Sequence, residues 1–404
     1  MHTLDDLERG ALDGTRHVRL VGLGLRHFPA ALYRLADTLE VLDLSANALD
    51  SLPDDLHRFG QLRILFASNN PFTTLPQALG RCARLEMVGF KACAIEYVPA
   101  DSLPPRLRWL ILTDNRIAQL PASLGQCPRL QKLMLSCNRL TTLPDLRGCP
   151  ALELLRIAGN RFESLPQSLL ELPALAWLAL AGNPMTAGVE AEALQDAHAS
   201  AIACEDLRIG PLLGEGASGH IHRTTLKRSG QAVALKVFKA ASTSDGTPQS
   251  ELAAGLAAGR HRHLLTPLAR VEGHPQGRLA MAMPLLPDAY VNLAGPPSFA
   301  SCTRDVYAAQ TRFSAATAER LLGCIGDALG WLHARGVLHG DLYAHNVLWN
   351  PDTGEAVLGD FGAALLTRGL PASDVARLQA IEWRAFGHLK SEILARVEPP
   401  AAAG

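Results

Sequence analysis

Leu39-x-x-Leu42-x-Leu44-x-x-Asn47-x-Leu49-x-x-Leu52-Pro53 sets a frame that returns throughout the first half of the chain. It recurs at Leu62/Leu65/Ala67/Asn70, Leu85/Val88/Phe90/Cys93 and Leu107/Leu110/Leu112/Asn115. It continues at Leu130/Leu133/Leu135/Asn138, Leu152/Leu155/Ile157/Asn160 and Leu175/Leu178/Leu180/Asn183. The ninth positions of these copies (47, 70, 93, 115, 138, 160 and 183) follow one another at 22 or 23 residues. A degenerate copy precedes them, with Leu20, Leu25 and Pro29 in frame. One copy cannot bury the leucines at its positions 1, 4 and 6, so the copies must stack into a continuous aliphatic core. The Asn side chain can satisfy backbone groups left unpaired where the chain turns inside such a stack. Cys93 replaces that Asn once, so the ladder tolerates a gap.

This pattern resembles the leucine-rich repeat family in its short intracellular form with a Leu-Pro step, over roughly residues 15–190. The resemblance implies an α/β solenoid with a parallel sheet on its concave side. Strand positions 3 and 5 should then face outward from the core. They carry Trp109 and Trp177 at one position, and Phe66, Ile111 and Met134 at the other. Such an aromatic and aliphatic set is the composition of a binding hot spot. Two occupants fit it: a protein partner or substrate, or the chain's own second half.

Working outward, 404 residues allow two or three domains. The formal net charge is -1 and the pI about 6.9, which makes the chain a poor candidate for non-specific nucleic-acid binding, since that needs a basic field. The opening Met1-His2-Thr3-Leu4-Asp5-Asp6-Leu7-Glu8 is acidic and unlike a secretory signal. Apolar stretches such as 174–180 fall short of the ~20 residues that a membrane span takes. The eight cysteines form no CxxC pair, which argues against a zinc site and a disulfide scaffold. These features set the expectation of a cytoplasmic protein.

After Met185 the frame stops, and 187–204 reads as a linker or short helix. Gly214-Glu215-Gly216-Ala217-Ser218-Gly219 follows. Read as a dinucleotide fingerprint, it would require a helix directly after Gly219. The sequence instead gives an apolar run from Ile221, a Gly230 turn and Val233-Ala234-Leu235-Lys236-Val237-Phe238, which is strand, turn, strand. Glu251 then opens an Ala- and Leu-rich run. Further on stand His339-Gly340-Asp341-Leu342-Tyr343-Ala344-His345-Asn346 and Gly359-Asp360-Phe361-Gly362.

Taken in order, these elements resemble the protein kinases, and the chain as a whole resembles bacterial leucine-rich-repeat protein kinases. The resemblance implies a multidomain chain, an α/β repeat solenoid followed by an α+β kinase-like fold with a shortened C-lobe. The expected boundaries are a cap at 1–14, repeats at 15–186, the linker at 187–204, the kinase-like domain at 205–398 and a disordered tail at 399–404. It implies ATP and Mg²⁺ as cofactors. Gly214, Gly216, Gly219, Ile221, Ala234 and Met281 would surround the nucleotide, and Lys236, held by Glu251, would take its α/β-phosphates. Asn346 and Asp360 would bind the metal through hard oxygens. Asp341 would accept the substrate hydroxyl's hydrogen bond.

Three positions depart from the family. Gly340 replaces the arginine that answers a phosphorylated activation loop. Tyr343 replaces the lysine typical of Ser/Thr kinases. Glu382 in Glu382-Trp383-Arg384-Ala385-Phe386-Gly387 takes the place of a family Asp at the start of a large helix. The sequence thus points to a Ser/Thr-type protein kinase with a recruiting repeat region. An adaptor with a weakly active nucleotide-binding module and a small-molecule phosphotransferase remain as alternatives.

Overall fold

The computed structural model describes residues 2–196, 201–216, 218–240, 243 and 245–399. The expected tail at 399–404 lies outside the described residues except for Pro399. The chain divides into two compact units, Met1–Leu175 and Ala176–Gly404.

The first unit opens with helix α1, Leu4–Glu8, closed by a reciprocal cap: Asp6 N donates to Thr3 Oγ1 and Thr3 N to Asp6 Oδ2. Three-residue strands follow, one per repeat. They are β1 His17–Arg19, β2 Val41–Asp43, β3 Ile64–Phe66, β4 Met87–Gly89, β5 Trp109–Ile111, β6 Lys132–Met134 and β7 Leu154–Arg156. All pair in parallel with the repeat frame in register, so Leu42 stands beside Leu65, and Leu110 beside Leu133. Those four leucines are fully buried, each contributing about 1.5–3 kcal/mol of transfer free energy.

The Asn ladder has the role its position suggests. Asn70 Nδ2 donates to the Leu44 and Ala67 carbonyls at 3.0 Å, and its Oδ1 accepts from Leu49 N at 2.9 Å. Cys93, at the gap, reaches the Ala67 carbonyl with Sγ at 3.5 Å. One feature escaped the sequence frame. The residue before each ladder position is left-handed: Ala46, Asn69, Ala92, Asp114 and Cys137 have φ between 51° and 59°.

The second unit begins inside the last repeat, with β8 (Trp177–Ala179) and helix α2 (Pro184–Asp196). A six-stranded sheet follows, in order β10-β11-β12-β14-β13-β9. Its strands are β9 Ile202–Ala203, β10 Leu207–Glu215, β11 Gly219–Leu226, β12 Ala232–Phe238, β13 Ala269–Glu272 and β14 Ala280–Pro284. Helix α3, Pro248–Ala258, lies between β12 and β13 in the chain. The remainder holds β15 Val291–Asn292, α4 Ala315–Ala334, β16 Val337–Leu338, β17 Val347–Trp349, β18 Ala356–Leu358, β19 Leu365–Leu366 and α5 Ala372–Leu394.

Three details differ from the sequence reading. In the stretch expected to be a linker or short helix, α2 starts earlier, at Pro184, and β9 pairs in parallel with Val271 and Glu272 as the edge of the sheet. The unit boundary falls before Trp177, because that ring packs among second-unit side chains. Helix α5 starts at Ala372, so Glu382 sits mid-helix, since nothing in 372–381 breaks the helical pattern.

Candidate active site

Lys236 lies in β12, flanked by Leu235 and Val237, which point into an apolar cluster with Val271 and Ala282. Alternation along the strand therefore turns Lys236 to the other face. There its Nζ meets Glu251 Oε1 at 2.5 Å, with side chains 8% and 2% exposed. Glu251 is set by the start of α3, where Thr247 Oγ1 accepts from Ser250 N at 3.2 Å and Pro248 follows the cap. Burial works to lower the Lys236 ammonium, but the charges of Glu251 and Asp360 outweigh it and hold it above its ordinary value. Burial pushes the Glu251 carboxyl up, against the pull of Lys236. The two shifts place the shared proton differently. The short contact and the further negative charge of Asp360 favour keeping it on Lys236.

The pair borders a cavity of about 210 Å³. Gly216, Gly219, Ile221, Met281, Asn346 and Asp360 line it together with Lys236 and Glu251. Gly214, Ala234 and Asp341 are not among its lining. Ala234 packs with Met281, Met283 and Phe238, and Gly214 pairs with Ile221 along β10–β11. Gly219 has a local reason as well: a Cβ there would lie 2.7 Å from the Val237 carbonyl across the hairpin.

The loop after β16 is tied to the loop after β18. His339 Nε2 lies 2.8 Å from the Gly359 carbonyl, and Gly359 N donates to the Asn346 carbonyl at 2.9 Å. Asn346 Nδ2 donates to the Asp341 carbonyl at 2.9 Å and to Asp341 Oδ2 at 3.0 Å. Asp360 holds φ 57°, with Gly362 N donating to its Oδ1 at 3.2 Å. An amide oxygen donor and a carboxylate at one cavity wall, beside a buried Glu251 Oε2 without a hydrogen-bond partner, suit a hard divalent cation.

Gly340 has φ 73°, and a Cβ there would sit 2.5 Å from the Ala363 carbonyl and 2.6 Å from that of Leu178. No arginine fits. Gly340 N donates to Glu382 Oε1 at 2.8 Å, while Glu382 Oε2 meets His333 Nε2 at 2.6 Å. Glu382 is thus a buried anchor for this loop.

Two further contacts complete the surroundings of this loop. Trp177, expected on an outward face with either a protein partner or the chain's own second half as its occupant, is 2% exposed. Its ring stacks on Tyr343 at 4.3 Å and 7°, and its Nε1 donates to the Leu342 carbonyl at 2.9 Å. The rest of that set differs: Phe66, Trp109, Ile111 and Met134 are half-buried, with Lys132 Nζ 4.3 Å above the Trp109 ring. The second contact is His345, which also lines the cavity and binds both carboxylate oxygens of Asp305. Burial opposes charge on the His345 ring. The Asp305 bond and the charges of Asp341 and Asp360 prevail and raise it above its usual value. The only sequence signal was the position of His345 between Asp341 and Asn346.

Residues 207–376 match the protein kinase domain family, and residues 105–162 and 128–185 match the leucine rich repeat family. The chain carries a leucine-rich-repeat region followed by a protein kinase domain. Among the described residues no helix is long and apolar enough to cross a membrane.

Proposed function

We propose that the chain is an ATP- and Mg²⁺-dependent protein kinase of the Ser/Thr type, acting in the cytoplasm, whose repeats recruit a protein partner or substrate. The observation that carries this reading is the 2.5 Å Lys236–Glu251 pair bordering a cavity that also presents Asn346 and Asp360. Lys236 would hold the α/β-phosphates, with Glu251 fixing its position. Asn346 and Asp360 would hold Mg²⁺, which supplies neutralisation of phosphate charge when bound. Asp341, oriented by the Asn346 amide, would accept the hydrogen bond of the incoming hydroxyl. Gly214, Gly216 and Gly219 would cover the phosphates, and Ile221, Ala234 and Met281 the base. The half-buried Phe66, Trp109, Ile111 and Met134 are the candidate recruiting side chains.

One observation favours a second reading, an adaptor with a weakly active nucleotide-binding module. The position of the usual lysine is Tyr343, and its ring is occupied by Trp177. One experiment separates the two. ATP with Mg²⁺ should raise the melting temperature of the full chain by mass action, about 2.7 kcal/mol at a hundredfold excess over Kd. Asp360→Asn should remove the Mg²⁺-dependent part. Label from γ-labelled ATP should enter Ser or Thr of a protein. A melting shift without label transfer establishes the adaptor, and the absence of both removes the nucleotide site.

A further inference from the structure

We propose that helix α2 braces the Lys236–Glu251 pair, and that Glu190 is the positioning residue through which it does so. The proposal rests on the kinase reading and adds a control element to it. Glu190 is 9% exposed, and both its carboxylate oxygens are engaged. Oε1 accepts from Gly182 N at 2.8 Å, and Oε2 accepts from Ser250 Oγ at 2.8 Å. Ser250 is 1% exposed and directly precedes Glu251. Its Oγ also lies 2.9 Å from Thr247 Oγ1, the cap of α3. A chain of hydrogen bonds thus runs from Gly182, at the left-handed turn closing the last repeat, to the first turn of α3.

Helix α3 needs such an anchor. It has 11 residues, a length at which an isolated helix is marginal and depends on its contacts. Its buried face is mostly small, with Ala253, Ala254, Gly255 and Ala258 beside the one large apolar side chain Leu252. Small side chains resist rotation about the helix axis less than interlocked large ones do. One residue of rotation, about 100°, would carry Glu251 off Lys236. A carboxylate at the N-terminus of α3 also meets the positive end of the helix dipole. The same helix reaches a second element of the domain, because Glu192 pairs with Arg368, just past β19. Removing the Glu190 carboxylate leaves Ser250 Oγ and Gly182 N without this acceptor in a buried setting.

The test uses the full chain with Glu190→Ala and Glu190→Gln. A Gln side chain can accept from Gly182 N and donate to Ser250 Oγ, so it restores the bridge, whereas Ala cannot. The first readout is acylation of Lys236 by acetic anhydride, followed by peptide mass spectrometry and normalised to exposed Lys227. Loss of the Glu251 partner lowers the Lys236 pKa, and the rate rises about tenfold per unit. The second is kcat with the KM for ATP. Glu190→Ala should speed Lys236 acylation severalfold and lower kcat on the order of 10- to 100-fold through misplacement of Lys236. KM for ATP should change less, and Glu190→Gln should behave as the wild type. If Glu190→Ala lowers the melting temperature but leaves Lys236 acylation and kcat within twofold, Glu190 is merely structural and the proposal is wrong. Equal damage in Gln and Ala also overturns it. If the wild type transfers no phosphate, the kinase reading falls and the acylation arm alone decides the brace.

Discussion

Gly340→Ala adds one methyl group to the chain and should be among the most damaging small substitutions in the second unit. Two costs combine. The residue has φ 73°, where an L side chain costs roughly 1–2 kcal/mol. The new Cβ would also lie 2.5 Å from the Ala363 carbonyl and 2.6 Å from the Leu178 carbonyl. Both are backbone atoms, so no side chain can swing aside, and overpacking of this kind costs a further ~1–3 kcal/mol. The sum is about 2–5 kcal/mol, on the order of 10 °C in melting temperature for a unit of this size. Gly277→Ala provides the control. Its φ is 64°, yet a methyl group added there would have nothing within 4 Å. It should lose only the backbone term, ~1–2 kcal/mol. Thermal unfolding of both full-length variants, followed by calorimetry, measures the difference. If the two variants melt within 1 °C of each other, Gly340 is not held by close backbone approach. The family arginine would then be sterically possible there.

Two further outcomes follow from buried contacts. Trp177→Ala should cost ~3–5 kcal/mol in urea unfolding, as for other buried aromatics, and Trp177→Phe, which keeps the stack on Tyr343 but leaves the Leu342 carbonyl unpaired, ~1–3 kcal/mol; unchanged midpoints would mean that the ring is exposed after all. Glu392 is pushed up to about 7, first by burial and then by Asp305, against Arg304, Tyr307 and Arg396. A raised folded pKa gives stability that is complete below the unfolded value near 4.5 and is lost as pH rises through 7. After discounting for its partial exposure, Glu392→Gln should raise stability at pH 8 by on the order of 1–2 kcal/mol and flatten the pH 4.5–7 slope; an unchanged slope assigns the titration elsewhere.

The repeats were legible because each copy repeats the same burial problem at a fixed period, so Leu42, Leu65 and Leu110 announce one another. Asp341 and Asn346 stand five positions apart in the sequence and meet in the fold, where the Asn346 amide donates to Asp341 Oδ2 at 3.0 Å. The sequence frame did not reveal which distant residue fixes each motif. Asp305 holds His345 across 40 positions, and Glu190 holds Ser250 across 60. Both lie in stretches without periodicity, where a carboxylate on a loop or small-residue helix reads as surface. The short strand β9 was hidden for a related reason. Two residues show no alternation, and only the partner Val271 makes them a strand.

Two of the departures from the kinase pattern, Gly340 and Tyr343, have one physical cause. As single substitutions, Gly340 and Tyr343 look like independent losses, one of a phosphate-answering arginine and one of a substrate-facing lysine. Both meet the strand Trp177–Ala179. The Leu178 carbonyl occupies the space that a Cβ at 340 would need. The Trp177 ring covers Tyr343 and binds the carbonyl of Leu342 between them. A lysine at 343 would bring a cation under a ring already approached by Arg304, whose guanidinium lies 5.3 Å from the Trp177 centroid. It would also forfeit the flat stack, whereas tyrosine supplies it. The loop is therefore shaped to receive a repeat strand, while the residues facing the cavity, Lys236, Glu251, Asn346 and Asp360, lie on elements that this strand does not displace. The altered positions belong to the packing of this loop, and the cavity-facing Lys236 and Glu251 keep their pairing at 2.5 Å.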